Sequence, residues 1–395
     1  MKIAIVVHGR FHAFDLAREL IGLGHEVLLL TNYPKNWPER FGVPAKHVRS
    51  CLAHGILSRA AQWMGKRVGR EKLGEPFLHQ WFARWAANQL SGQGIDLTHL
   101  FSGVALETLL QKERTGKVHS LMRGSSHIEL QKKILEEEEQ RAGQRIDGPS
   151  RWMMQRENME YEKADFIQCL SQFAYKSFLD QGVGKEKVVV NPLGVSLSSF
   201  KTDLQSVRER NKRILSGGRL RVLTVGNFSL QKGILDQIAV AKKMHQKIEF
   251  YHRGALSSDS SPHLKEARKY ITLLPPVQQH QLSADYVEAD IFLLPTLQDG
   301  FAAVLVQAAA CGLPILTTTN CGANDFLSEE RGAWIVPIRR PDLIVERLKW
   351  CDENREALAK SAIASSKPNP GLDWKNHALK LIQYADPFLA KKLKR

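Results

Sequence analysis

Lys232, Asp299 and Gln307 stand where side chains of their kinds could do chemistry. Lys232 closes the loop Gly226-Asn227-Phe228-Ser229-Leu230-Gln231-Lys232-Gly233, between the apolar run Leu220 to Val225 and the helical run Ile234 to Met244. A lysine at a strand–loop–helix junction adds a point charge to the N–H groups of a helix N-terminus, a combination suited to a diphosphate. Asp299 follows the apolar strand run Asp290 to Leu294 and precedes the Ala-rich stretch Gly300 to Cys311, which reads as a helix buried on all sides. Gln307 is the lone polar side chain of that stretch, and a buried amide needs a partner. Pattern alone is also met by a helix cap and an amide bonded within the fold. Gly9 and Arg10 follow the strand Lys2 to Val7, His127 ends the loop after Val118 to Met122, and Arg253 ends the strand after the Lys232 helix. Each of these loops follows a strand C-terminus, where ligands of parallel sheets gather. A solvated loop side chain is the plainer reading of Arg10, His127 and Arg253. Ser171 is read as the cap of a helix from Gln172 to Asp180.

The elements that must position these residues alternate strand and helix. Tyr286 to Thr318 forms one strand–loop–helix–strand unit, with Gly312 and Pro314 stopping its helix, and such parallel strands are joined by right-handed crossovers. The opening repeats the pattern: strand, the turn His8-Gly9-Arg10, a helix from Ala13 to Leu23, then a strand from Val27 to Leu30. Gly9 stands alone there, so a dinucleotide fingerprint is lacking and a nicotinamide enzyme is disfavoured. The length of 395 residues suits two domains, and the polar, basic stretch from Ser196 to Gly218 marks their boundary. The expected division is 1–197, 198–373, and a final segment 374–395.

The run Asp299-Gly300-Phe301-Ala302, then Gln307-Ala308, then Cys311-Gly312-Leu313-Pro314 resembles the donor-sugar motif of retaining GT-B glycosyltransferases of family 4, the glycosyl transferases group 1. Asp299 and Gln307 stand where that motif has glutamates. Asn191-Pro192-Leu193-Gly194-Val195 resembles the family's interdomain hinge, and Lys232-Gly233 its diphosphate lysine, with Asn227 where an arginine is usual. The resemblance is strong from about Asp165 to Pro337. It implies an α/β GT-B fold: two Rossmann-like domains facing across a cleft, with a C-terminal helix crossing back to the first. It also implies transfer of a sugar from a nucleoside diphosphate sugar to a saccharide or lipid-linked acceptor, with retention and without a cofactor or metal. Lys232, Asp299 and His127 are then catalytic. Gly226, Asn227, Gly233, Arg253, Pro276, Val277, Gly300, Phe301, Ala302 and Gln307 line the donor site. Gly9, Arg10 and Ser171 face the acceptor or the phosphates. The replaced glutamates and arginine leave a second possibility, a catalytically weak sugar-nucleotide-binding partner subunit.

Composition narrows the remaining classes. A hydrophobic share of 43% and a charged share of 25% are those of an ordinary soluble protein, and no apolar run is long enough to span a membrane. The N-terminal apolar segment is too short for a signal peptide, and the five cysteines form no CxxC pair, so buried thiols in a cytoplasmic protein are expected. The formal net charge of +15 favours anionic partners. Nucleic acid is not expected, because no zinc, basic-helix or aromatic-sheet motif accompanies the charge. The segment Ile56 to Arg70 places Leu57, Ala61, Met64 and Val68 on one helical face and Arg59, Lys66 and Arg70 on another. Such a helix suits an anionic membrane surface or packs its apolar face on the domain. The basic tail Lys391 to Arg395 reads as disordered, a further anionic-surface contact.

Overall fold

Strand runs with no polar interruption can be satisfied only inside a parallel sheet covered on both faces. The computed structural model, which describes residues 1–67, 72–200, 204–365 and 371–393, contains two of them. The first holds β1 (Lys2–Val7), β2 (Glu26–Thr31), β3 (Val48–Ser50), β4 (Leu97–Phe101), β5 (Val118–Met122), β6 (Phe166–Cys169) and β7 (Val188–Val190), in the order β3-β2-β1-β4-β5-β6-β7. The second holds β8 (Leu220–Val225), β9 (Ile248–Arg253), β10 (Ile271–Leu274), β11 (Ile291–Leu294), β12 (Ile315–Thr318) and β13 (Ala333–Val336), in the order β10-β9-β8-β11-β12-β13. Pairing is parallel throughout, with Ile3 opposite Val27 and Leu97, and Phe292 opposite Leu223 and Ile315. Strand order reverses between β1 and β4 in one sheet and between β8 and β11 in the other. Loops leaving those strands diverge and open a crevice. Arg10, Asn227 and Asp299 all lie on such loops.

The last helix, Trp374–Leu393, returns to the first sheet, and its Ala378, Leu381 and Ala385 are buried in the core with Ile5, Phe14 and Phe166. It runs on through Pro387, so Lys391 and Lys392, read from the sequence as part of a disordered tail, are helical. Lys394 and Arg395 lie outside the described residues, as do Val68 and Arg70 of the basic helix. That segment forms a helix over Leu52–Arg67. The segment 191–195 after β7 is sewn to the crossing helix and the residues leading into it: the Asn191 side-chain amide donates to the His377 carbonyl at 3.1 Å, and Val195 N donates to the Leu372 carbonyl at 2.9 Å. A Cβ on Gly194 would lie 2.4 Å from the Trp374 backbone, so only glycine permits this approach.

The stretch read as a polar boundary contains a helix, Leu204–Leu215. Its Arg210 is fully buried and donates to the carbonyls of Tyr286, Ala289, Cys311 and Gly312. A guanidinium buried without a carboxylate is tolerable when its fork meets carbonyl oxygens, and here it ties the start of β11 to the end of the Ala-rich helix. All five cysteines are buried thiols, and burial pushes those of Cys169, Cys321 and Cys351 up to about 12.

Candidate active site

The Ala-rich helix begins three residues later than its composition implies, over Ala303–Ala310. Asp299 is the reason. Its Oδ1 accepts from Phe301 N at 3.1 Å and Ala302 N at 2.9 Å, and Ala302 adopts a left-handed φ of 57°. Residues 299–302 therefore form a turn ahead of the helix. The other carboxylate oxygen of Asp299 is ion-paired with Lys232 Nζ across the mouth of the second sheet. Burial pushes the Asp299 carboxyl up, but the Lys232 ammonium and the two amides more than offset this and hold it below the usual carboxylate range. Gly233, at φ 74°, lets the lysine loop press on β11: a Cβ there would sit 1.9 Å from the Pro295 carbonyl oxygen.

Gln307 is buried, and its Oε1 accepts from Tyr286 Oη at 3.3 Å. With Ala303 it also borders a cavity of about 670 Å³ between the two sheets. The opposite wall comes from loops of the first sheet: Arg10 and Phe11 after β1, Ser102 and Gly103 after β4, and Arg123, Gly124 and Ser125 after β5. The two halves touch beside the Asp299 turn. Ser125 Oγ donates to Gln298 Oε1 at 2.6 Å, and a Cβ on Gly300 would lie 2.1 Å from the Gly124 carbonyl oxygen. Arg339 adds a second tie, pairing with Glu137 and Glu138 of the helix Ile128–Ala142.

Arg10 lines the cavity, 3.6 Å from Asp15 and with its guanidinium 3.8 Å above the Phe41 ring. Gly9, at φ 123°, turns the chain there, and its carbonyl accepts from Thr31 Oγ1 at 2.8 Å. Gly226 occupies the matching turn after β8, where a Cβ on Gly254 would meet its carbonyl oxygen at 1.7 Å, and Asn227 beside it is exposed.

Five residues expected at the donor or acceptor site sit elsewhere. His127 is not among the cavity's lining residues. Its ring is buried against Tyr161 and Phe178, and its Nδ1 accepts from Glu129 N at 3.3 Å as the cap of its helix. Burial, with the Arg123 charge, pushes it down to about 4, so it is a neutral packing residue at physiological pH. Ser171 caps its helix through Ala174 N at 3.2 Å, as its position in the sequence implied, but it is buried and does not line the cavity. Arg253 gives its fork to Asp285, with bonds of 2.8 and 2.6 Å, and a third to the Pro275 carbonyl at 3.0 Å. The guanidinium expected at the donor site is thereby engaged in an ion pair within its own sheet's loops. Pro276 and Val277 follow β10 but do not line the cavity, whereas Gln279 does.

Several cavity residues escaped the sequence reading. Glu157, on the helix Arg151–Lys163, faces the cavity with Arg123 Nε at 3.1 Å and receives Tyr161 Oη at 2.5 Å. Trp374 enters from the crossing helix and His79 from the helix Glu75–Leu90. Nothing in their local patterns marks them, because each reaches the cavity from a different, distant element. Arg123 did carry a signal, since it opens the loop whose last residue was singled out instead.

Two family models match this chain: Glycosyltransferase Family 4 over residues 10–199 and Glycosyl transferases group 1 over residues 219–354. The chain belongs to the group 1 glycosyltransferases. A relative described as an uncharacterized 41.2 kDa protein in the cps region of Klebsiella pneumoniae is 24% identical over 51% of this chain and 57% of its own. The amylovoran biosynthesis glycosyltransferase AmsK of Erwinia amylovora is 22% identical over 45% of each. The chain thus spans about half the length of the curated relatives it matches. The crystal structure of Anabaena Alr3699/HepE in complex with UDP superposes with a TM-score of 0.69 over 98% of this chain and all of that one, at 13% identity. The fold is GT-B.

Proposed function

We propose that this protein transfers a sugar, with retention, from a nucleoside diphosphate sugar to a saccharide or lipid-linked acceptor in polysaccharide assembly. The observation that carries the reading is the Lys232–Asp299 pair at the mouth of the second sheet, opposite the loops of the first. A diphosphate arriving at Lys232 displaces the Asp299 carboxylate, which then accepts from a sugar hydroxyl. Departure of the diphosphate builds negative charge, and a preorganised ammonium stabilises it most where the charge grows. In this reading the charge is met by Lys232 and by helix-terminal amides rather than by a metal. Gln307 bonds the ribose hydroxyls through an amide that both donates and accepts. The relatives' printed names, a protein in a cps region and an amylovoran biosynthesis glycosyltransferase, support a polysaccharide product. UDP, ADP and GDP should each be tested for a rise in melting temperature, because ligand binding to the native state stabilises it. No shift with any of them would sink the reading.

The second reading is a nucleotide-sugar-binding partner subunit with weak turnover. It is favoured by the exposed Asn227, which brings no charge, and by the engagement of Arg253 with Asp285. Hydrolysis of the preferred nucleotide sugar by the pure protein separates the two.

The reading also takes in an anionic membrane surface on the cytoplasmic face. The helix Leu52–Arg67 turns its small and polar residues His54, Gly55, Ser58 and Gly65 inward. Leu52, Ile56, Leu57, Trp63 and Met64 are 46 to 59% exposed. Arg59 and Arg67 are exposed beside them, Arg67 lying 3.7 Å above the Trp63 ring. No helix of the described residues is long and apolar enough to cross a membrane. Apolar side chains facing outward beside cations match the boundary between headgroups and acyl chains. Anionic vesicles should carry the protein to the pellet, Trp63→Ser with Met64→Ser should reduce this severalfold, and salt should release the rest. Equal binding to neutral vesicles would refute the electrostatic part.

A further inference from the structure

Phe11 is unusual in two independent ways. Its backbone sits at φ 40°, a left-handed conformation that a bulky residue rarely adopts. Its side chain is 68% exposed, the highest value among the large apolar side chains of the described residues. Folding explains neither. Strained residues persist where the surroundings over-determine them, and they cluster at ligand clamps. The surroundings here are specific: Thr31 Oγ1 holds the Gly9 carbonyl at 2.8 Å, and Ala13 N holds that of Arg10 at 3.1 Å. One face of the Phe11 ring stacks on Phe101, with centroids 5.9 Å apart and planes at 27°. The high exposure leaves the other face open, and Phe11 lines the cavity between the sheets.

We infer that Phe11 is the platform on which a pyranose ring of the acceptor stacks, a role that rests on the proposed glycosyl transfer. A pyranose has a face of C–H groups that suits an aromatic plane, and a rim of hydroxyls that needs polar partners. Glu157 and Arg123 line the same cavity and offer a carboxylate and a guanidinium. Phe11 belongs to the first sheet, across the cavity from Ala303 and Gln307, so the ring it carries is the sugar entering opposite the donor helix.

The test uses the full chain with methyl α-D-glucopyranoside, methyl α-D-galactopyranoside and methyl α-D-mannopyranoside at ~20 mM, enough to populate a millimolar site. Saturation-transfer NMR should place the strongest signals on ring C–H protons of at least one of them. Phe11→Tyr should keep the signals, and Phe11→Leu should lose most of them. Phe11→Gly, which suits the positive φ, should also lose them while keeping or raising the melting temperature. The UDP-induced melting shift should be the same in every variant. Silence from all three pyranosides with the wild-type protein would overturn the assignment. Undiminished signals in Phe11→Leu, lost signals in Phe11→Tyr, a lowered melting temperature in Phe11→Gly, or loss of the UDP shift in Phe11→Leu would each overturn it too. A wild-type protein that binds a pyranoside but shows no nucleotide shift would instead count against the donor reading.

Discussion

Lys232 and Asp299 neutralise one another, so each is available to a ligand only by giving up the other. Lys232→Ala removes the cation paired with Asp299. It should lower donor turnover by about 2 to 4 kcal/mol in transition-state stabilisation, read as kcat/KM for the nucleotide sugar. Turnover close to wild type would reject the diphosphate role. Gln307 presents a gentler case. Its Oε1 accepts from Tyr286 Oη, and a glutamate oxygen accepts equally well. Gln307→Glu should therefore change donor affinity by less than about tenfold, or ~1.4 kcal/mol. A larger loss in a titration would assign Gln307 to packing alone.

At the scale of elements, the donor helix depends on what precedes it. Composition extends it back to Gly300, but the Asp299 carboxylate captures the amides of Phe301 and Ala302 and delays its start. That delay leaves Gly300 free to press on Gly124 across the cleft. Gly300→Ala should obstruct this approach, since the added Cβ would meet the Gly124 carbonyl oxygen at 2.1 Å. The second sheet keeps its own packing, so the expected result is a loss of turnover with little change in the UDP-induced melting shift. A variant with full turnover would show that the contact is not needed during the reaction. The helix Leu52–Arg67 makes a related point. Its spacing marks an apolar face, but spacing alone is silent on whether that face points in or out. Gly55 decides it by packing on the chain just past the end of β2, where a Cβ would lie 2.0 Å from the Asn32 carbonyl oxygen.

The whole molecule carries an acid sensitivity that no single element reveals. His8 and His99 are pushed down to about 3 and His252 and His377 to about 4, burial being the main cause in each. These folded-state values lie below the unfolded one, so the unfolded chain binds more protons as pH falls through the interval. Stability is fully present above the unfolded value near 6.5 and is lost as pH drops toward 4. Each histidine that stays neutral in the native state contributes a slope of about 1.4 kcal/mol per pH unit. Melting temperature should fall steeply from about pH 6.5 downward, and His377→Asn should flatten the curve relative to its own neutral-pH value. A melting temperature constant down to about pH 4.5 would contradict the burial of neutral rings. His377 Nδ1 donates to the Pro192 carbonyl at 2.9 Å, a bond that favours the protonated ring, so the acid sensitivity at this position comes from burial and not from that tie.

The amino-acid sequence alone determined the alternation of strands and helices, the parallel sheets and the loops that carry Lys232, Asp299 and Gln307. Apolar runs, turn residues and short motifs are local properties, and the strand ends they mark are where parallel sheets bind ligands. Tertiary structure decided which loop residues face the cleft. His127 follows a strand end, yet it is a buried cap, and Ser171, whose cap was legible in the sequence, is buried too, because their helices pack over them. Arg253 is claimed by Asp285, a partner 32 positions away that no spacing rule would pair with it. Glu157, His79 and Trp374 come to one cavity from three separate helices. Such convergence depends on how helices cross two sheets, and packing of distant surfaces is not written in any local pattern.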